Sequence, residues 1–372
     1  MTESIIQKSF RFRIFPSKAQ ITKLENTLNL CRDIYNAALS ERRDAYKLNR
    51  ISIKYYDQTN QLKEIKQTNP EYKDIHSQVL QDTLNRVDKA FQGFFRRVKA
   101  KNGKCGFPRF QGKNRYNSFT YTQSGFSLTD NRLTLSKIGK VKIKLHRQIS
   151  GRVKTLTISR HSQDKWFACF SVEIAKEVLE LTNKTVALDM GLLIFAALSD
   201  GNKIDNPRFL KRDEKRLATA NRRLSKQPKG SQERRKKRRI VAKIHAKIRN
   251  RRNDFAHQES RKLVNSYDVI FFENLNIKGM MKNHRLSKAI ADAAWNQLIE
   301  LTRYKAENAG RAIITVNPKH TSTDCHNCGY RQKLTLDRRI FECPSCHIKI
   351  DRDFNASLNI LAVGLNSLGN FP

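Results

Sequence analysis

The chain has 372 residues, long enough for two or three domains with cores of their own. Its 73 lysines and arginines stand against 34 acids, a formal charge of +39; this chain repels itself unless a polyanion neutralises it, and nucleic acid is the expected partner because each phosphate contact releases counterions. No apolar run reaches the roughly 18 residues of a membrane span, and Met1-Thr2-Glu3-Ser4 is not the basic start of a secretory signal, so a cytoplasmic location is expected.

Phe10, Phe12 and Ile14 alternate with Arg11 and Arg13, which predicts a half-buried strand ended by Pro16. Ser17 and Gln20 predict a capping box. Leu24, Leu28, Cys31, Tyr35 and Ala38 then recur at helical spacing, as do Leu84, Val87, Phe91, Phe94, Phe95 and Val98. Residues 49–80 are polar and less regular. The loop from Lys101 to Tyr116 carries Gly103, Lys104, Arg109, Lys113 and Arg115 with Phe107 and Phe110 interleaved. That pattern suits phosphate contact with base stacking, and equally suits aromatics that plug a core beneath. From Ser118 to Ile174 the signal is β. Val141, Ile143 and Leu145 alternate with lysines, and Trp166, Ala168, Phe170 and Val172 share one face. Short strands at this spacing predict a β-barrel or sandwich, which the first strand joins. The expected division is a β domain at 1–16 and 117–182, with a helical insertion at 17–116.

A different pattern begins at 183. Val186-Ala187-Leu188 is a short apolar strand ending on Asp189, and Asp200-Gly201 signals a hairpin after Phe195–Leu198. Residues 207–262 hold 22 lysines and arginines against five acids, with sparse apolar positions at helical spacing. Charge this dense predicts a surface for a nucleic-acid backbone. Val269–Phe272 is a second apolar strand, ending on Glu273. One amphipathic helix is expected through Ile290, Ala294, Leu298, Leu301 and Tyr304, with Gly310 past its end, then a strand from Ala312 to Val316.

Cys325-x-x-Cys328 and Cys343-x-x-Cys346 are separated by fourteen residues. Four thiolates so spaced match a closed tetrahedral Zn²⁺ site of structural type. They complete the ligand shell without His326 or His347. Cys31, Cys105 and Cys169 are scattered, which fits ordinary thiols in a reducing compartment. Behind the knuckles, Asp351-Arg352-Asp353 opens a helix expected to pack through Phe354, Leu358 and Leu361. Either aspartate can cap it. Asp189 and Glu273 each end an apolar strand, although Gly191 also allows Asp189 to be a turn residue. If the strands are neighbours, both carboxylates emerge at one edge. Converging acids call for divalent cations, and oxygen ligands suit Mg²⁺ or Mn²⁺. A strand ending in Asp, a hairpin, helices, a strand ending in Glu and a terminal Asp-bearing helix have the layout of an RNase H-like fold.

At this point the sequence resembles a known family. Leu188-Asp189-Met190-Gly191, Phe272-Glu273-Asn274-Leu275, the two knuckles and Asp351-Arg352-Asp353-Phe354-Asn355-Ala356 are similar to motifs of the TnpB (OrfB) nucleases of insertion sequences, compact relatives of type V CRISPR effectors. Phe107-Pro108-Arg109-Phe110, Trp295, Tyr304-Lys305-Ala306 and Thr321-Ser322 extend the resemblance over nearly the whole chain. Two positions depart: Ser357 stands where alanine is usual, and His347 where glycine is common. The resemblance implies a β-barrel wedge domain with a helical recognition insertion, then a RuvC nuclease domain (183–318 and 347–372) interrupted by a zinc-binding insertion (319–346). It implies an RNA-guided DNA endonuclease, nucleoid-associated in a bacterium or archaeon. The guide RNA would come from the transposon end, and double-stranded DNA beside a short flanking motif would be the target. Asp189, Glu273 and Asp353 would be the catalytic metal-binding acids, with Asp353 preferred as the second acid of its motif. Arg352 would orient the site or contact phosphate. Tyr55, Tyr56, Ser77 and Gln78 lie where the family reads its flanking motif, although Gln78 equally suits a solvated helix. Two other readings stand beside this one: a nuclease-silent, RNA-guided DNA-binding repressor, and a strand-transfer transposase on the same fold.

Overall fold

The computed structural model describes residues 5–101, 105–113, 115–161, 165–335 and 338–369; Gly103 and Lys104 of the basic loop lie outside them. The chain divides into two compact units, Met1–Ala175 and Lys176–Pro372.

In the first unit, β1 (Ile5–Phe15) buries Phe10, Phe12 and Ile14, the alternation the sequence predicted. Both halves of the capping box form: Ser17 Oγ accepts from Gln20 N at 3.3 Å, and Gln20 Oε1 accepts from Ser17 N at 2.9 Å. They start α1 (Lys18–Asn49), which buries the predicted face from Leu24 to Ala38. The irregular stretch conceals a helix, α2 (Tyr55–Thr68), followed by a 3₁₀ turn at Pro70–Asp74. Periodicity misses α2 because only Gln58 and Leu62 are buried in it. A polar clamp holds the helix: Gln58 Nε2 donates to Ala38 O at 2.9 Å and Gln58 Oε1 accepts from Arg42 Nε at 2.8 Å. In α3 (Ser77–Lys99), Leu84 and Val87 are core, but Phe95 and Val98 on the predicted face are exposed.

Six further strands follow: β2 (Ser118–Tyr121), β3 (Phe126–Thr129), β4 (Arg132–Leu135), β5 (Gly139–Lys144), β6 (Arg152–His161) and β7 (Lys165–Ala175). The sheet order is β2-β6-β7-β1-β5-β4-β3, antiparallel at every pairing. β1 pairs with β7 from Ile5↔Ala175 to Ile14↔Trp166. The strand before the helices therefore sits mid-sheet, and the helices are an insertion between sheet strands. Residues 176–182, expected with the β domain, bond instead within the second unit. Leu179 N donates to Ala309 O at 3.0 Å, and Thr182 N to Asp268 Oδ1 at 2.9 Å.

The second unit is built on a mixed sheet. β8 (Thr185–Met190), β9 (Ile194–Leu198) and β10 (Lys203–Asp205) form the antiparallel side. Two basic helices come next, α4 (Phe209–Ser225) and α5 (Gln232–Ser266), packed through a narrow stripe of Ala220, Ile244 and Ile248. β11 (Val269–Glu273) then returns parallel to β8. After the single turn α6 (Ile277–Met280), the expected amphipathic helix is two, α7 (Ser287–Ala293) and α8 (Trp295–Ala309). The break is Ala294, in left-handed conformation at φ +54°. It lets Ile290 and Trp295 both enter the core, a choice that one continuous helix denies. The buried face of α8 runs through Trp295, Leu298, Thr302 and Ala306, and Tyr304 is 41% exposed.

β12 (Ala312–Val316) closes the sheet order β10-β9-β8-β11-β12, parallel to β11. A small hairpin of β13 (Ile340–Glu342) and β14 (Lys349–Asp351) leads into α9 (Arg352–Gly369). The face of α9 differs from the expected one: Phe354, Leu358 and Leu361 are half-buried, whereas Ala356, Ser357, Ile360 and Gly364 are buried. A Cβ on Gly364 would lie 2.2 Å from the Phe271 ring. The missing side chain is thus what lets α9 lie against β11.

Candidate active site and cysteine cluster

β8 and β11 run parallel, with Leu188 opposite Phe272 as the last pair. Asp189 and Glu273 each stand one residue further on, so the two carboxylates share one edge of the sheet. Asp189 lies within β8, and the turn begins only at Gly191, whose N–H donates to Phe195 O at 3.1 Å. Asp353 arrives from a third direction, on the first turn of α9. It shares the helix face of Ser357, Ile360 and Gly364, at spacings of three and four residues.

The electrostatics register this convergence. The Asp189 carboxyl is pushed up to about 8, first by burial and then by the negative fields of Glu273 and Asp353, with Arg352 opposing them. Glu273 is buried, which raises its pKa, while Thr321 Oγ1 donates to its Oε1 at 2.6 Å and holds it down. The acidic doublet divides its labour. Asp351 Oδ1 accepts from Asp353 N at 3.0 Å and Phe354 N at 3.1 Å, so Asp351 is the helix cap. Its Oδ2 pairs with Lys203 Nζ at 2.8 Å. Burial raises its pKa, but Lys203 and the Phe354 N–H outweigh burial and hold it below the usual range. Asp353 makes one longer ion pair, 3.8 Å from Arg339 Nη1. Arg352 donates from Nη1 to Thr335 O at 3.2 Å.

The four knuckle cysteines form a tighter group. Cys325 Sγ lies 3.6 Å from Cys346 Sγ, and Cys328 Sγ 3.5 Å from Cys343 Sγ. All four sulfurs fall within 4.8 Å of one another, alone in this respect among the described residues. Thiolates about 2.3 Å from a shared tetrahedral centre stand roughly 3.8 Å apart, so the set fits one metal ion. The two knuckles are near copies. Gly329 N donates to Cys325 O at 2.9 Å, and His347 N donates to Cys343 O at 2.9 Å. Both donors have positive φ, +75° and +59°. His347 therefore occupies a turn position that favours glycine.

Two asparagines tie the knuckles to α9. Asn355 Nδ2 donates to Asp324 O at 2.8 Å, and its Oδ1 accepts from His326 N at 3.0 Å. Asn359 Nδ2 reaches Thr321 O at 2.8 Å and Asp324 O at 2.7 Å. Thr321, Asn355 and Asn359 were not among the predicted site residues. Thr321 and Asn355 lie inside the quoted motifs, but no periodicity marks them. Ser357 is fully buried, and its hydroxyl is satisfied by Phe354 O at 2.7 Å.

The other candidates lie in the first unit. Tyr55 and Tyr56 open α2 with ring centroids 5.3 Å apart, Tyr55 half-buried and Tyr56 exposed. Ser77 opens α3, and its Oγ accepts from Lys66 Nζ at 2.7 Å. Gln78 Oε1 accepts from Gln123 N at 3.0 Å and Ser124 N at 2.9 Å. Paired readout of an adenine edge needs that oxygen as acceptor and the amide as donor, so the fold already engages half of the reader. Arg109 and Lys113 are exposed. Phe107 packs edge-on to Phe91 and Phe94, and Arg43 lies 5.2 Å over the Phe110 ring. Phe107 and Phe110 remain 43% and 49% exposed, so the loop presents exposed aromatics beside exposed cations, and neither ring plugs a buried core.

A family profile described as "Probable transposase", that of OrfB in IS605 elements, matches residues 169–284. A Cas12f1-like TNB domain profile matches residues 295–360, and one described as a helix-turn-helix domain matches residues 1–50, whose described residues hold β1 and the helix α1. A "Putative RNA-guided DNA endonuclease" of Streptomyces pristinaespiralis is 34% identical over 97% of this chain and 90% of its own length. The similarly named InsQ of Escherichia coli (strain K12) is 28% identical over 96% and 92%. Among solved structures, the Cas12f1–sgRNA–target DNA complex aligns with a TM-score of 0.61 at 12% identity, covering 96% of this chain and 98% of that one. The mini-RNA-guided endonuclease Cas_phi3 aligns at 0.54 and 11%, covering 97% and 92%. At these identities the structures support a shared fold.

Proposed function

The chain belongs to the TnpB (OrfB) family, and on that premise we propose that it is an RNA-guided DNA endonuclease of an insertion sequence, cleaving DNA beside a short flanking motif. One observation carries the reading: parallel β8 and β11 bring Asp189 and Glu273 to one edge, where the field of Asp353 reaches Asp189. The order β10-β9-β8-β11-β12, antiparallel on one side of β8 and parallel on the other, supports an RNase H-like RuvC nuclease domain. The seven-stranded sheet with its helical insertion supports the wedge and recognition reading of the first unit.

In this reading Asp189, Glu273 and Asp353 hold Mg²⁺, with Mn²⁺ as a substitute, because hard cations take carboxylate oxygens. When bound, a pair of such ions activates a water and stabilises the leaving oxygen in phosphodiester hydrolysis. The chain's own residues set the stage. Thr321 fixes one oxygen of Glu273. Asp351 fixes the start of α9 and so the position of Asp353. Arg352 offsets the negative field at Asp189. The four cysteines hold a structural Zn²⁺, and Asn355 and Asn359 join that clasp to the catalytic helix. Guide RNA and double-stranded target DNA are the partners, in keeping with the charge of +39. Among the described residues no helix is long and apolar enough to cross a membrane.

The test is to sequence the RNA that copurifies with the chain, then offer it a plasmid library matched to that RNA with Mg²⁺. A defined transcript and cleavage beside one motif are expected. A guided repressor would hold the transcript without cutting, and a strand-transfer transposase would join DNA ends without any defined RNA.

A further inference from the structure

A cavity of about 650 Å³ lies wholly within the first unit, between the C-terminal parts of α1 and α3 and the start of α2. That size falls in the range of ligand pockets, about 300–1,000 Å³. One wall is aromatic. Phe91, Phe94, Phe95 and Phe107 contact one another with ring centroids 5.2 to 6.2 Å apart. Phe95 is nevertheless 60% exposed, and Tyr46 on the opposite side 56%. Phe95 lies on the helical face that the sequence predicted for α3, and the fold leaves that end of the face open.

The rim is cationic. Arg43, Lys47, Arg50 and Lys54 line it. The single lining acid, Asp88, is already engaged by Arg42 Nη1 at 2.8 Å and Gln92 Nε2 at 2.6 Å. Arg50 lies 5.5 Å over the Tyr46 ring, so one cation and one aromatic are already stacked. Arg42 is 8% exposed and lies 5.6 Å over the Phe91 ring; its Nε and Nη1 bind Gln58 and Asp88, so it supports the aromatic wall from beneath. Exposed aromatic rings and a rim of cations match a ligand with a π-face and a negative backbone. A nucleotide has both.

We propose that this cavity receives one unstacked base of a single-stranded segment of RNA, stacked on its exposed aromatic rings, with its phosphates on the Lys47, Arg50 and Lys54 rim. RNA is favoured over duplex DNA for a physical reason. A duplex must unpair and unstack to present a base, whereas loops and bulges of a folded RNA already do. The inference rests on the guided-nuclease reading and names one contact to its RNA.

The experiment uses the full chain purified with its copurifying RNA. Ultraviolet crosslinking and mass spectrometry are expected to place RNA on peptides containing Tyr46, Phe95 or Phe107. Single-stranded RNA and duplex DNA oligonucleotides then serve as probes for Phe95→Ala, Tyr46→Ala, Lys47→Ala and Arg50→Ala, each checked for an unchanged melting profile. Both aromatic variants should bind RNA about tenfold more weakly with the same salt dependence, because stacking is lost and no phosphate contact is. The two cation variants should each flatten the salt slope by about 0.7. Unchanged RNA affinity in both aromatic variants overturns the proposal, as does a loss confined to duplex DNA. So does light scattering that shows a dimer dissociated by Phe95→Ala with RNA affinity intact. A wild-type chain with no RNA would sink the nuclease reading itself; equal RNA on wild type and variants sinks this inference alone.

Discussion

The four thiols and the three carboxylates occupy one unit, and the fold holds them by opposite means. The thiols come from two short turns within 22 residues, Cys325 to Cys346, and each turn is closed by its own backbone hydrogen bonds. The carboxylates come from β8, β11 and α9, with 84 residues between the first pair and 80 between the second, counted as differences of position. The four sulfurs all lie within 4.8 Å of one another, whereas the acids are kept near enough to raise the Asp189 pKa without forming so tight a group among the described residues. A set of soft ligands on local turns is built to stay closed. A set of carboxylates on separate elements depends on every contact that registers those elements.

Several substitutions sharpen that contrast. The largest effect is expected from the acids: Asp189→Ala, Glu273→Ala and Asp353→Ala should each abolish Mg²⁺-dependent cleavage while RNA binding persists. Asp351→Ala should keep cleavage and cost about 1 kcal/mol of stability as a lost cap. Plasmid cleavage beside RNA binding and a melt checks both, and cleavage that survives Asp353→Ala but not Asp351→Ala reverses the assignment within the doublet. Cys325→Ser should release the metal and lower the melting temperature of the second unit. Elemental analysis expects one zinc per wild-type chain, and a zinc-free wild type refutes the clasp.

The next effect is intermediate. Gly364→Ala drives a methyl into the Phe271 ring, an overpacking of about 1–3 kcal/mol. Because α9 carries Asp353, cleavage should fall more than RNA affinity; an equal fall in both would show a general loss of fold. Thr321→Val removes the donor to Glu273 Oε1, and an unsatisfied buried carboxylate costs about 1–3 kcal/mol. Without that donor the Glu273 pKa rises, so the pH–rate profile should move to higher pH, and an unmoved profile argues against the bond.

The smallest effect tests the field at Asp189. Its folded pKa of about 8 exceeds the ordinary aspartate value of 3.8, so the folded chain binds the extra proton. The stability this contributes is fully present below about 3.8 and is lost as pH rises through about 8. In chelator at pH 8 to 9, Asp189→Asn should therefore melt at a higher temperature than wild type, with the gap closing toward pH 4. A gap independent of pH would mean the acids are not coupled as described.

Sequence determined what neighbours along the chain determine. The capping box at Ser17 and Gln20, the alternation of β1, the thiol turns, and the apolar strands that end on Asp189 and Glu273 are local patterns whose physics is complete within a few residues. Tertiary structure decided the rest, because it depends on which distant groups share a space. The polar clamp around Gln58 makes a helix where periodicity is silent. Ala294 breaks a helix so that Ile290 and Trp295 can both be buried. Asp351 became the cap, and the field of Asp353 reached Asp189, only once α9 turned its Ser357–Ile360–Gly364 face to the sheet. The sequence alone determined which acids end strands. Only the parallel register of β8 with β11 made two of them neighbours, since burial and like charge act through space and not along the chain.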